Sequence, residues 1–258
     1  MNESSKRNIG YVLIALITLF SLFLFLSNKP VSQELNYHNF KDFRVVFNIP
    51  NFYNVVSNIF FFLVGVVGLY KIFCTEKFHL IKEVKAVYVM LFFGAAMIGL
   101  GSGYYHLSPD NETLVWDRLP MSIVFMALFS IIIVEFVSIR TGKWLFFPLL
   151  IAGISSVIYW YLTEKQGIGD LRFYVLVQFY PFVVIPVLLL CFRPLYTHVY
   201  AYWILFSLYG VSKIFEYYDG TVLEYSGFIS GHTIKHILSA LALGVLMVSY
   251  EKRQIKKR

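Results

Sequence analysis

Two groups of ionisable residues interrupt long apolar stretches of the chain, and the first group lies between residues 102 and 117. Ser102 and His106 are four residues apart, so in a helix they share one face, about 6 Å apart along the axis. Asp117 stands near the start of the next apolar stretch, and a short connection would return it to the same end as His106. Ionisable side chains in such stretches are costly unless they are paired or take part in chemistry.

The second group contains His232 and His236, which again have the spacing of one helix face. Two imidazoles at this spacing can bind one metal ion. His106 would supply a third ligand and leave a fourth position for water, which is the arrangement of a catalytic zinc ion rather than a structural one. We therefore predict a metal site formed by His106, His232 and His236.

Other polar residues in the apolar stretches have structural interpretations as well. A single histidine at membrane depth is often a hydrogen-bonded packing residue. Asn54, Ser57 and Asn58 form one helical stripe, for which interhelical hydrogen bonding and a role in the site both remain open. Lys213 and Glu216 share a face, and we expect a structural ion pair. The remaining histidines fall in loops or at a span boundary, where we expect them to be solvated or interfacial: His38, His79 and His198.

The composition identifies the elements that must position these residues. Of the 258 residues, 58% are hydrophobic and 14% are charged, whereas soluble domains carry about 25% charged residues. A soluble fold of this size could not cover so much apolar surface, and the 19% aromatic content excludes a disordered chain. We predict an all-α integral membrane protein.

A helix needs about 20 apolar residues to cross the hydrocarbon layer. Runs of this kind lie near residues 9–27, 53–74, 86–107, 118–138, 144–162, 172–191, 198–216 and 231–250. The predicted organisation is an N-terminal membrane anchor helix (1–27), a polar extracytoplasmic connection (28–52), a seven-helix domain (53–250) and a basic cytoplasmic tail (251–258). The first run is longer than that of a signal peptide and has no cleavage site after it, so we interpret it as an uncleaved anchor.

The positions of the basic residues predict the orientation and the partners. Most lysines and arginines lie in loops on the side of the N-terminus, which places both termini in the cytoplasm and the histidines toward the extracytoplasmic side. The net charge of +7 is spread between apolar runs and the tail, which favours anionic lipid headgroups over nucleic acid as the partner of the basic residues. The short loops favour a bacterial inner membrane.

The same residues carry a resemblance to a known family. The matching segments are Phe52-Tyr53-Asn54-Val55-Val56-Ser57-Asn58, Ser102-x-x-x-His106, Asp117-Arg118-Leu119-Pro120-Met121 and His232-x-x-x-His236. In their order and separation they resemble the alkaline ceramidases, which belong to a superfamily of seven-helix membrane hydrolases that also includes progestin/adiponectin-type receptors and Per1-like proteins. The resemblance covers residues 50 to 250, nearly the whole chain except the first span.

The resemblance implies a seven-helix core that holds zinc through the three histidines. It also implies Asp117 as the acid/base residue and Ser102 beside the water that the zinc activates. Two features depart from the family: the extra N-terminal span, and the connection before the core. The animal enzymes carry an acidic calcium-binding cluster there, whereas this chain offers only Asp42, Arg44, Asn48 and Asn51, which are too few carboxylates to predict Ca²⁺.

The predicted function is that of a zinc-dependent membrane amidohydrolase. It would cleave the N-acyl bond of ceramide or a related membrane lipid with a metal-activated water. Two alternatives remain open. The chain could be a non-catalytic seven-helix receptor or transporter in which zinc only ties helices together, or a lipid esterase that uses the same residues.

Overall fold

The computed structural model describes residues 2–256, and its regular elements are α-helices. In chain order they are α1 (Glu3–Ser27), α2 (Phe52–Val56), α3 (Ile59–Cys74), α4 (Lys85–Leu107), α5 (Asn111–Phe136), α6 (Ile139–Lys165), α7 (Arg172–Cys191), α8 (Tyr200–Tyr217), α9 (Asp219–Ser226) and α10 (Gly231–Lys252). Short 3-10 turns occupy Leu35–His38 and Lys82–Val84. The predicted all-α fold class is confirmed.

Seven helical segments of the described residues are long and apolar enough to cross a membrane. They are Glu3–Ser27, Phe52–Cys74, Lys82–Leu107, Asn111–Phe136, Ile139–Lys165, Arg172–Cys191 and Gly231–Lys252. The chain is therefore a multi-pass membrane protein. Many large apolar side chains on these helices are exposed, as expected for surfaces that contact lipid rather than water.

Helix α8 differs from the other predicted spans. It has 18 residues, close to the length predicted for the run 198–216, but its composition does not place it among the seven apolar segments. The charged residues Lys213 and Glu216 lower its mean hydropathy, and both side chains line an internal cavity. Helix α8 packs along α10, where Ser239 donates a hydrogen bond to Ser212 (3.1 Å). An eighth span therefore stays a prediction.

Helix α5 is the centre of the bundle, and its first residue corrects the predicted start of the span at 118. Asp110 caps the helix: its carboxylate accepts a hydrogen bond from the Thr113 backbone N–H (2.7 Å), and the Thr113 side chain bonds back to the Asp110 N–H. These bonds lower the pKa of the Asp110 carboxyl and allow the helix to begin at Asn111. Pro120 therefore lies in the interior of the helix.

Helix α1 lies at the side of the bundle and contacts α7. Only 6% of its most apolar window is buried. The contact includes a hydrogen bond between Thr18 and the Tyr180 hydroxyl (2.7 Å) and a close approach of Gly10 to Cys191 and Phe192. Because its apolar surface is exposed nearly all round, we interpret α1 as a lipid-facing helix on the outside of the bundle.

Up to residue 256, where the described chain ends, the predicted basic tail is held against the bundle at Arg253, which corrects part of the prediction for residues 251–258; positions 257–258 lie outside the described residues. Arg253 is 1% exposed and pairs with Glu135 of α5 (2.6 Å). Its Nε donates to the His79 carbonyl (2.8 Å), and the guanidinium lies over the rings of Tyr196 and Tyr250. This buried charge is unavailable to lipid headgroups, although Lys252 next to it is exposed.

Candidate metal centre

The three predicted ligands meet in one buried group at the end of the bundle where α4 ends and α10 begins. His106, His232 and His236 are 0%, 5% and 3% exposed. One ligand atom from each lies within 4.8 Å of the others. The ring centroids of His106 are 5.0 Å from those of both other histidines. Three imidazoles at these distances could hold one metal ion.

The hydrogen bonding of His106 supports this interpretation. Neither of its ring nitrogens has a hydrogen-bond partner, although both are buried. Buried polar atoms are nearly always satisfied, because an unmet donor or acceptor costs about 1–3 kcal/mol. A metal ion would satisfy one of these nitrogens, so the donor set fits such a group.

The polar stripe at Asn54 and Ser57 makes hydrogen bonds to helix α10 beside the histidines. The interhelical hydrogen bonding that the sequence left open is therefore present. The Ser57 hydroxyl donates to the Asn54 carbonyl (3.1 Å) and lies 2.8 Å from His236 Nδ1. With the hydroxyl proton directed to Asn54, the Ser57 oxygen can accept a hydrogen bond from Nδ1–H, an arrangement that would leave Nε2 with its lone pair. Asn54 Oδ1 also accepts a hydrogen bond from Thr233 (2.8 Å). Such contacts orient ligating histidines.

His232 is fixed from its backbone and contacts a charged network. Its N–H donates to Asp219 (2.7 Å), and the Lys235 ammonium lies 3.0 Å from His232 Nε2. Lys235 also pairs with Glu216 (3.0 Å), which in turn pairs with Lys213 (2.7 Å). The predicted Lys213–Glu216 pair is therefore present as part of a larger group. Sequence reasoning missed Lys235, although a lysine inside an apolar span was a signal.

Asp117 and Ser102 lie together beside this group. Both are buried, both line the same cavity as His236, and they are close enough to interact. Their proximity follows from the contact between α4 and α5: a Cβ on Gly101 would come within 2.0 Å of the Trp116 carbonyl oxygen. In a helix the Trp116 carbonyl would accept a hydrogen bond from the N–H of residue 120, but Pro120 has no N–H. That carbonyl is therefore left without its helical partner where Gly101 packs against it.

The cavity has a volume of about 280 Å³ and lies between α3, α4, α5, α7, α8 and α10. At the histidine end its wall contains charged side chains. Farther along, the lining is apolar, with residues such as Leu128, Ile132 and Ile185, and it extends to Tyr202, whose hydroxyl donates to Glu135 (2.7 Å). The cavity therefore joins a polar, histidine-bearing end to an apolar interior.

The connection between α1 and α2 covers the histidines. The Phe40 ring lies 4.5 Å from that of His106 and 4.6 Å from that of His232. His38, predicted to be solvated or interfacial, is instead half-buried and bonded to the Tyr105 hydroxyl (2.9 Å) and to Asn111 (3.0 Å). That prediction was wrong because the connection folds back over the bundle.

The possible calcium ligands in the connection have other partners. Arg44 donates two hydrogen bonds to the Asp42 carboxylate (2.7 and 2.6 Å), and this pairing raises the pKa of Arg44. Asn51 donates to the His106 carbonyl (2.9 Å), which holds the end of α4. These residues therefore brace the histidine end rather than forming a cluster of free carboxylates.

Fold and site together define a class: an all-helical, multi-pass membrane protein with a buried three-histidine group that could hold a metal ion. A family model described as Ceramidase matches residues 40–257. The chain belongs to the ceramidase family, which implies an amidohydrolase that acts on ceramide-like lipids. No curated protein and no solved structure matched the chain.

Proposed function

We propose that this chain is a zinc-dependent amidohydrolase that cleaves the N-acyl bond of ceramide or a related membrane lipid. The observation that carries the proposal is the buried His106, whose ring nitrogens have no partner and which faces two further histidines beside a cavity lined by Asp117. Membership of the ceramidase family supports the amide as the bond that is cut.

The donor set favours zinc over the alkaline-earth ions, which prefer oxygen ligands. A zinc ion held by three imidazoles lowers the pKa of a water molecule toward 7 and polarises a carbonyl group. Asp117 is not one of the three grouped ligands. This observation supports a metal site with three protein ligands and a fourth coordination position for water. It is evidence against the alternative of a structural site in which Asp117 is the fourth ligand.

Asp117 and Ser102 are the residues to which we assign the proton transfers and the stabilisation of charge. Asp117 takes a proton as the water oxygen bonds to the acyl carbon. It returns that proton to the amide nitrogen as the C–N bond breaks, and the products are a fatty acid and an amine. The Ser102 hydroxyl hydrogen-bonds the water or the oxygen that gains negative charge.

The shape of the cavity suits a lipid substrate. The amide would lie at the histidine end, and the acyl chain would extend past Leu128 and Ile132 toward Tyr202. Surrounding helices exclude bulk water, which strengthens the electrostatic interactions of Asp117 and Ser102 with the reacting groups.

The test is hydrolysis of a panel of N-acyl and O-acyl lipids by purified protein, with and without added zinc, together with analysis of bound metal. We expect zinc-dependent release of fatty acid, and its loss in His232→Ala and in His236→Ala. His79→Ala is the control, because His79 is exposed and lies outside the group. Activity that survives either ligand substitution would disprove the chemistry, and cleavage of O-acyl lipids alone would identify an esterase.

Asp117→Asn separates the catalytic role from a structural one. Loss of a positioned general acid–base reduces turnover by about 10²–10⁴-fold. We expect this loss with metal content largely kept, because Asp117 is not a ligand in the proposed site. If metal is lost as well, Asp117 has a structural role.

We further propose that the histidine end faces the extracytoplasmic side of a bacterial inner membrane, with both termini in the cytoplasm. The support is the excess of lysine and arginine in the loops of the opposite face.

A further inference from the structure

Arg118 is a buried cation without an acidic partner. It is 6% exposed and follows Asp117 in α5, and both residues line the cavity. Within the described residues 2–256, no carboxylate lies within 4.0 Å of its guanidinium. The Asp117 carboxylate is near enough to interact with this charge electrostatically but does not form an ion pair with it. Burying a charge without a directly bonded counter-charge is costly, so this arrangement calls for an explanation.

Aromatic rings and one amide hold the guanidinium in place. Its central carbon lies 4.3 Å from the centre of the Trp160 ring, 4.8 Å from that of Tyr174 and 5.5 Å from that of Tyr37. Nη2 donates to the Gln33 side chain (2.5 Å), whereas Nη1 is buried with no hydrogen-bond partner. The guanidinium is thus positioned by contacts that do not neutralise it.

The other two cations of the cavity, unlike Arg118, have ion-pair partners. Glu216 pairs with both Lys213 and Lys235. The cavity wall therefore carries three cationic and two anionic side chains, and the cation without an ion-pair partner is Arg118. The cavity has room and positive charge for an anionic group.

We infer that Arg118 binds an oxyanion of the substrate headgroup, either a carboxylate or a phosphate. The planar guanidinium presents paired donors that match both groups. This inference rests on the proposed function and narrows its substrate class: the preferred lipid is an N-acyl compound with an acidic group near the amide. Because Arg118 bonds Gln33 of the loop that also places Phe40 over the histidines, the acidic group lies at the histidine end of the cavity, on the headgroup side of the amide and not along the acyl chain.

The first test compares matched lipids on the unmodified protein. N-palmitoylglycine is paired with its methyl ester, and ceramide 1-phosphate with ceramide, so that the two arms distinguish a carboxylate from a phosphate. A charge-assisted hydrogen bond predicts that one acidic lipid has a kcat/KM about tenfold to a hundredfold above its neutral partner. Equal or lower values for both acidic lipids would overturn the inference while leaving amide hydrolysis intact.

The second test uses substitutions. Arg118→Gln should bring the ratio of kcat/KM for the acidic lipid to kcat/KM for its neutral partner close to one. Both lipids are measured on the same preparation, so the ratio does not depend on how much activity the variant keeps. Arg118→Lys keeps the positive charge but loses the paired, planar donors of the guanidinium, and it should retain part of the preference. Arg140→Gln is the matched control, because Arg140 is exposed. A preference that persists in Arg118→Gln would overturn the inference.

The third test does not depend on hydrolysis. In metal-free protein in detergent, N-palmitoylglycine should raise the Tm more than its methyl ester does, and Arg118→Gln should abolish the difference. If neither lipid is hydrolysed by the zinc-loaded protein but this difference is present, the proposed function fails and the anion site stands. If the two lipids shift the Tm equally, the anion site fails.

Discussion

At the scale of single residues, the site depends on groups that orient the histidines as much as on the histidines themselves. His236 Nδ1 is held by Ser57, whose own proton goes to the Asn54 carbonyl. This chain of two hydrogen bonds fixes one tautomer of the imidazole and presents Nε2 to the centre of the group. Its members come from the short α2 segment and the turn that follows it.

Ser57→Ala tests this support. We expect metal affinity to fall about 10-fold to 100-fold, because an unsupported His236 ring loses its fixed tautomer and orientation. Metal competition with a chelator would measure the change. Ser130→Ala is the control, since Ser130 is also fully buried but bonds only to the Met126 carbonyl of its own helix. Equal affinity in wild type and Ser57→Ala would contradict the role of Ser57.

Sequence spacing found residues that act from one helix face and missed those that depend on contacts between distant segments. The pairs Ser102/His106 and His232/His236 follow from helical geometry alone. The ion pair of Glu216 with Lys235 and the hydrogen bond that Arg118 donates to Gln33 join different elements. No local sequence pattern predicts which cationic side chain forms an ion pair with a carboxylate and which does not.

At the scale of elements, glycine contacts set the distances across the site. Gly101 lets α4 approach the Trp116 carbonyl of α5, and Gly231 lets α10 approach the Phe215 carbonyl of α8. In both places a Cβ would come within 2.0 Å of the carbonyl oxygen. Small residues commonly permit such approaches between membrane helices. The first contact places Ser102 beside Asp117.

Gly101→Ala should therefore reduce both stability and activity. Inserting a methyl group into a packed contact typically costs about 1–3 kcal/mol, and separating α4 from α5 would move Ser102 away from Asp117. Tm and hydrolysis rate are the measurements. Gly210→Ala is the control, because a Cβ there meets no atom within 4 Å. Similar behaviour of the two variants would show that the contact does not set the site geometry.

The predicted helix boundaries agree with the structure where the apolar run and the helix end at the same residues. They differ where polar residues extend the helix beyond the apolar run. The runs 172–191 and 231–250 correspond closely to α7 and α10. The start of α5 was placed seven residues late, because polar capping residues extend it beyond its apolar part. For the same reason Pro120 lies in the helix interior.

At the scale of the whole molecule, charged groups hold both ends of an apolar bundle. The Glu216 network lies at the histidine end, and the Glu135–Arg253 pair lies at the other. Tyr88 and Tyr202 both donate hydrogen bonds to Glu135 (2.8 and 2.7 Å). The second network ties the chain after α10 to α5 and closes the bottom of the cavity at Tyr202.

Arg253→Gln should destabilise the protein strongly. Removing one partner of a buried ion pair costs about 3–5 kcal/mol, because the Glu135 charge is left without compensation. Thermal unfolding in detergent would measure this loss. Lys252→Gln, one residue earlier and exposed, should have little effect. Arg253→Gln with a wild-type Tm would mean that the tail does not hold the bundle together.

The cover over the histidines has a consequence for how the molecule could diversify. Gln33, Tyr37 and Phe40 belong to the loop between α1 and α2, whereas the groups that we propose bind metal and transfer protons belong to α4, α5 and α10. The proposed reacting groups and the loop that covers them are thus encoded in separate stretches of polypeptide. Because Gln33 bonds Arg118 and Phe40 packs on the histidines, we expect exchange of this loop to change the proposed lipid preference and the support of the histidines together.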